Sequence, residues 1–159
     1  MTLVHSVLNL TSKTGLIEDA QAHCDIPCGI YDPATALLAA LSVVRLMDIQ
    51  AEASDQNTFV RCVLQKEEEA EKVKHEVRVI WGDYFKAPQI EKHPQIHELA
   101  HAIMQKASAC KQGTDRADGE ALVDLVNQFA EIFWTTKDVS TERWVSPYPP
   151  SLEVVQPAS

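Results

Sequence analysis

The stretch AHCDIPCGIYDPATALLAALSVVRLMDIQA, residues Ala22 to Ala51, carries two patterns that meet at Asp32-Pro33. An acid followed by proline is a helix start, an N-cap ahead of the first helical position. Behind it Leu37, Leu38, Leu41, Val44 and Ile49 recur with a helical period, so an amphipathic helix is expected to about Ala53. Ahead of it lies a turn-rich segment in which His23 abuts Cys24 and Cys28 follows.

Working outward, the polar turn SDQNT (54–58) ends this helix, with Asn57 or Thr58 as the expected next cap. A second helix then places Phe59, Cys62, Val63, Ala70, Val73, Val77 and Ile80 on one face. Its other face, Lys66, Glu67, Glu68, Glu69, Glu71, Lys72 and Lys74, reads as solvated, with lysine partners at helical spacing. WGDYFKAPQIEKHP (Trp81–Pro94) breaks the pattern with two prolines and a glycine. A loop this aromatic should pack on its own bundle or on another subunit. Ile96, Leu99, Ala100, Ile103, Met104 and Ala107 make a third helix, stopped near Gly113. Leu122, Leu125, Val126, Phe129, Ile132 and Phe133 make a fourth. Residues 141–159, with Pro147, Pro149, Pro150 and Pro157, read as an irregular tail. The expected class is all-α, an up-down four-helix bundle preceded by an N-terminal metal-binding hook.

A chain of 159 residues is one domain's worth, and 45 % apolar content is ordinary. No apolar run is expected to reach bilayer-crossing length. A formal charge of −9 and a pI near 5.0 argue against nucleic acid and anionic membranes as partners. Of the four cysteines, Cys62 and Cys110 fall in helical apolar patterns and read as buried thiols. A disulfide framework is not expected in a helix-rich chain of this size. The first residues, MTLVHSVLNLTSKTGLIEDAQA, end in Ala20-Gln21-Ala22, which imitates a signal-peptidase site. The start is not basic, Asn9, Thr11, Ser12 and Lys13 interrupt the apolar stretch, and Glu18 and Asp19 stand near the cut. A removable propeptide, residues 1–22, fits better than an export signal; a plain disordered tail, common at termini, is the alternative. The expected location is the cytoplasm.

If cleavage follows Ala22, His23 gains a free α-amine. That amine and the Cys24 amide nitrogen close a five-membered ring on a metal, and the Cys24 amide and thiolate close another. Cys28 can fold its thiolate into the last in-plane position, and the His23 imidazole remains for an axial one. A planar set with nitrogen donors suits Ni(II) or Cu(II) rather than tetrahedral zinc. Thiolates tend to reduce Cu(II), so nickel is preferred. Two thiolates and a deprotonated amide make Ni(III) accessible, which is the mark of a redox site.

These residues carry a resemblance. HCDIPCGIYDP is similar to the nickel hook of nickel-containing superoxide dismutases, H-C-x-x-P-C-G-x-Y-x-P, with all its fixed positions present. WGDYFKAP (Trp81–Pro88) and IFWTTK (Ile132–Lys137) resemble two further segments of that family, so the likeness runs from His23 to Lys137. It implies a nickel hook plus four-helix bundle over residues 23–140, assembled as a homohexamer, with one nickel ion per subunit and a processing peptidase. It implies His23, Cys24 and Cys28 as metal ligands, Pro27 after a cis peptide, and Gly29 at the sharp return of the hook. Asp25 and Tyr31 are expected in the hydrogen-bonded surround, with Tyr31 guiding anion and protons. Tyr84 and Lys86 are expected to approach from a neighbouring subunit. The family often holds a Glu where this chain has Ala39 and an Arg where it has Glu69, together orienting the axial imidazole. Their absence requires another support for His23 or a weaker axial bond.

His93, His97 and His101 form a stripe on the third helix, but no carboxylate or cysteine at ligand spacing completes a zinc set. The leading function is therefore an enzyme that disproportionates superoxide to oxygen and hydrogen peroxide by Ni(II)/Ni(III) cycling. The alternatives are a nickel carrier using the same hook without turnover, and a thiol redox protein. The last is weakened because Cys24 and Cys28 are spaced C-x-x-x-C.

Overall fold

The computed structural model describes residues 29–158, so the segment read as propeptide and hook ligands lies outside the described residues. Helix α1 (Ala34–Glu52) begins where Asp32 and Pro33 put it. The Asp32 carboxylate accepts from the Ala34 N–H at 2.8 Å, and the Pro33 carbonyl takes the first helical bond from Leu37. Helix α2 (Gln56–Val79) is capped by Asp55, whose side chain accepts from the Thr58 N–H at 2.9 Å. The cap therefore falls earlier than Asn57 or Thr58. That bond is strong enough to hold the Asp55 carboxyl below its ordinary range.

The segment expected as a loop after α2 is largely helical. The chain runs on through one π turn, Ile80–Tyr84, and then forms a short helix α3 (Ala87–Lys92) with Pro88 in its first turn. The turn is closed by Phe85 N–H donating to the Ile80 carbonyl at 3.3 Å. Ile80 and Phe85 are both buried, and an i→i+5 bond is the one that carries both into the core. Helices α4 (Ile96–Gln112) and α5 (Arg116–Thr135) follow. α1 packs on α2 and α5, and α4 packs on α2 and α5, which is the closed ring of an up-down bundle. α5 comes close to α1 at Gly119, where a Cβ would stand 2.9 Å from a Val44 methyl carbon.

Helix α1 is in fact long and apolar enough to cross a membrane by length and composition, with a mean hydropathy of 1.4. Half of that stretch is buried inside the bundle, and its Leu37, Leu41, Val43, Val44 and Met47 belong to the core. Its apolarity comes from contacting two helices.

Lys66 departs from the expected solvated face. It is 2 % exposed and sits in the buried series Cys62, Lys66, Ala70, Val73, Val77 of α2. Its Nζ donates to the Cys110 and Gly113 carbonyls at 2.5 Å and to the Lys111 carbonyl at 3.3 Å. An ammonium has three donors, and all three meet carbonyls at the C-terminal end of α4, where the helix dipole favours a cation. Burial still pushes the Lys66 ammonium's pKa down. Cys62 and Cys110 are buried as free thiols, and burial raises Cys110 to about 11.

The tail is not irregular. Thr141–Val145 (β1) and Glu153–Pro157 (β2) pair antiparallel, Arg143 opposite Val155. Pro147, Pro149 and Pro150 fall in the connection and Pro157 at the ladder's end, where no interior donor is lost. The buried Asn127 of α5 acts as a third strand: its Nδ2 donates to the Glu153 carbonyl at 2.8 Å and its Oδ1 accepts from the Val155 N–H at 2.9 Å. Val154 and Val155 join the bundle core, and Arg143 reaches back to Glu131 and Asp124 of α5.

Candidate metal centre and its aromatic surround

The described residues begin at Gly29, directly after Cys28. Gly29 has φ +73°, the left-handed region that glycine adopts without steric cost, as a sharp return of chain requires. Tyr31 then packs against the core, and with Ile30, Asp32, Thr35, Glu76, Val79 and Ile80 it lines a cleft of about 370 Å³ at the N-terminus of α1. His23, Cys24, Asp25, Pro27 and Cys28 lie outside the described residues. Among the described residues no group of three or more His, Cys, Asp or Glu side chains could hold a metal ion.

Tyr84 meets Tyr31 within one chain, ring centroids 5.8 Å apart. The π turn and the end of α5 hold it there: its ring leans on Phe133 at 4.9 Å, and Phe85 beside it packs on Phe129 at 5.8 Å. The Tyr84 hydroxyl lies 2.6 Å from the Thr136 hydroxyl, which itself donates to the Phe133 carbonyl at 2.6 Å. A hydroxyl has one proton to give, so Thr136 spends its own on Phe133 and accepts from Tyr84. The Tyr84 phenol is thereby fixed as a donor toward α5, and its oxygen has only lone pairs for any other partner.

Lys137 completes the cluster. Its Nζ stands 4.9 Å from the centroid of the Tyr84 ring and 5.2 Å from that of Phe133. Lys86, expected to approach from a neighbouring subunit, turns its Nζ onto the Gly82 carbonyl at 3.2 Å, and its backbone N–H donates to Gln89 at the start of α3. Ala39 is buried on α1. Glu69 accepts from Gln65 and borders a cleft of about 360 Å³ with Leu38, Ser42 and Arg45, which Tyr148 and Pro149 of the β1–β2 connection also line. Thr136 and Lys137 were missed as functional candidates, although Lys137 closes the IFWTTK segment. No spacing rule could show that they fold onto a tyrosine 52 residues away. In the histidine stripe, the Trp81 indole N–H donates to His97 Nδ1 at 3.0 Å, so this histidine is engaged by the aromatic segment.

A family model described as nickel-containing superoxide dismutase matches residues 18–137. The chain is 43 % identical over 116 residues to "Superoxide dismutase [Ni]" of Streptomyces coelicolor, covering 73 % of this chain and 88 % of that protein. It is 42 % identical over the same length to the protein of that name from Streptomyces seoulensis. The native structure of a nickel superoxide dismutase superposes with a TM-score of 0.70 at 43 % identity, covering 72 % of this chain and 99 % of that one. The hairpin β1–β2 follows the end of the family match at residue 137.

Proposed function

Since the chain belongs to the nickel-containing superoxide dismutase family, we propose that its six-residue segment His23–Cys28 is the nickel hook, with His23, Cys24 and Cys28 as ligands. The protein is a superoxide dismutase, converting two superoxide anions and two protons to oxygen and hydrogen peroxide, and its cofactor is nickel, one ion per subunit. The donor set fits: the thiolates of Cys24 and Cys28, with the amine and imidazole of His23 and the amide nitrogen of Cys24, would hold a nickel ion. Bound there, nickel would supply the one-electron couple that dismutation needs. Tyr31 orients the anion and relays protons. Tyr84 buttresses Tyr31 through its ring while its own proton is held by Thr136. Asp25, Pro27, Gly29 and Lys86 shape the hook and its surround. Cleavage between Ala22 and His23 by a peptidase removes the propeptide, residues 1–22, and frees the amine. The active assembly is a homohexamer in the cytoplasm.

The observation that carries the hook assignment is that every fixed position of the hook pattern is present from His23 to Pro33, directly ahead of a bundle like that of the solved dismutases. A nickel carrier that never turns over is not favoured by those relatives. The test compares three nickel-loaded preparations: the full chain, the chain beginning at His23, and one with a single Ala before His23. Only the second is expected to remove superoxide rapidly in stopped-flow, while all three retain some metal. Equal rates would remove the amine from the mechanism and the reason for the propeptide.

A further inference from the structure

Leu38 of α1 is left 53 % exposed where two helices and the hairpin meet. With Leu46 it floors the cleft of about 360 Å³ that α2 walls with Gln65 and Glu69 and the β1–β2 connection walls with Tyr148 and Pro149. That last wall is fixed: the Tyr148 carbonyl accepts from the Ser151 N–H at 2.9 Å and from the Ser146 hydroxyl at 3.2 Å. Arg45, also lining the cleft, is half-buried. Arg78, Arg116 and Arg143 are more exposed and each holds a carboxylate, yet no carboxylate among the described residues pairs with Arg45. An apolar floor beside an uncompensated cation fits a ligand that joins apolar groups to an acid. Glu69, engaged by Gln65, directs the acid away from itself and toward Arg45.

One segment of this chain has that composition. Leu16-Ile17-Glu18-Asp19 is an apolar pair followed directly by an acidic pair. It is within reach. Ten residues of chain from Asp19 to Gly29 extend up to about 35 Å, and Arg45 lies only roughly 17 Å along α1 from Ala34. The length agrees too: four extended residues cover about 13 Å, and Leu38 to Leu46 cover roughly 12 Å of α1. Leu16 and Ile17 at one end of the chain, and Tyr148 and Pro149 at the other, all lie outside the stretch 18–137 that the family model matches. Resting on the reading of residues 1–22 as a propeptide, we propose that this groove is its docking site in the uncleaved chain, with Leu16 and Ile17 on Leu38 and Tyr148 and the Glu18–Asp19 carboxylates on Arg45. The tether holds the segment at an effective concentration of about a millimolar, so weak contacts suffice. Cleavage after Ala22 removes the tether and frees the groove.

The experiment reads the groove by thiol labelling and needs no nickel. Leu38→Cys is placed in a Cys24→Ser/Cys28→Ser background, where Cys62 and Cys110 are buried, and the rate with neutral N-ethylmaleimide is measured. The full chain should react about tenfold more slowly than the chain beginning at His23. Arg45→Gln, and separately Glu18→Gln/Asp19→Asn, should each speed the full chain about threefold, and together no more than either alone. Equal rates in the full and shortened chains would overturn the docking site, as would protection indifferent to both sets of charge changes. Protection that persists in the shortened chain and grows with protein concentration would put a second copy in the groove and overturn it as well. The propeptide reading fails separately. Protection in the full chain, with equal dismutation by cleaved and uncleaved nickel-loaded preparations, supports the docking and overturns the propeptide. Dismutation that requires cleavage, without protection, overturns the docking alone.

Discussion

At the scale of single residues, the proposed ligand set uses cysteines other than those that serve the core. Cys62 and Cys110 serve the core, and with its pKa pushed up to about 11 Cys110 offers no thiolate near neutrality. Cys24→Ser or Cys28→Ser should abolish dismutation, because an alcohol is a poor donor to oxidised nickel. Circular dichroism should show the bundle unchanged, and near-normal turnover with bound nickel in either variant would defeat the ligand assignment. Lys66 is the opposite case. Lys66→Met would leave three carbonyls at the end of α4 without their donor, and about 3 kcal/mol of stability should be lost in urea unfolding. The position was open to sequence reading in one respect: Cys62, Lys66, Ala70, Val73, Val77 is an unbroken helical stripe. It was hidden because a lysine in a run of glutamates reads as surface, and the carbonyls that satisfy it come from 44 to 47 residues away.

At the scale of elements, what local chemistry dictates was legible and what distant contacts dictate was not. α1, α4 and α5 follow from apolar periodicity with Pro33 and Gly113 as stops, and α2 from the same periodicity up to Val79. The π turn after α2 depends on Ile80 and Phe85 being buried together, and the hairpin depends on Asn127. Prolines spaced through the tail argued for disorder of pattern because their positions relative to a ladder could not be known without the ladder. The hairpin's dependence is testable. Asn127→Ala strands one carbonyl and one amide of β2, a loss of about 2 kcal/mol. Hydrogen exchange at residues 153–156 should accelerate strongly while α4 keeps its protection. Equal acceleration throughout would show that the hairpin and the bundle unfold as one unit.

At the scale of the whole molecule, the homohexamer is the remaining expectation, and light scattering of the processed chain should give six times the subunit mass; a stable monomer at micromolar concentration would refute it. The hook sequence made the family legible, because its spacing is set by chelate chemistry and not by packing. The surround of Tyr84 was not, since it is assembled from the start of α1, the π turn and the end of α5. One feature of that assembly bears on how the protein can be handled. Gly29 leads into Tyr31, and at the other end of the chain the Ala158 N–H donates to the Ser140 carbonyl at 2.8 Å, three residues beyond Lys137. The first and last described stretches, at Gly29 and Ala158, therefore lie beside the same mouth, that of the Tyr31–Tyr84 cluster. On the proposed reading an affinity handle ahead of His23 would mask the amine, and one after Ala158 would crowd the Tyr31–Tyr84 cluster. Immobilisation on a surface or electrode is better made through the exposed turn between α1 and α2, at Ser54, at the opposite pole, which leaves the mouth facing the solution.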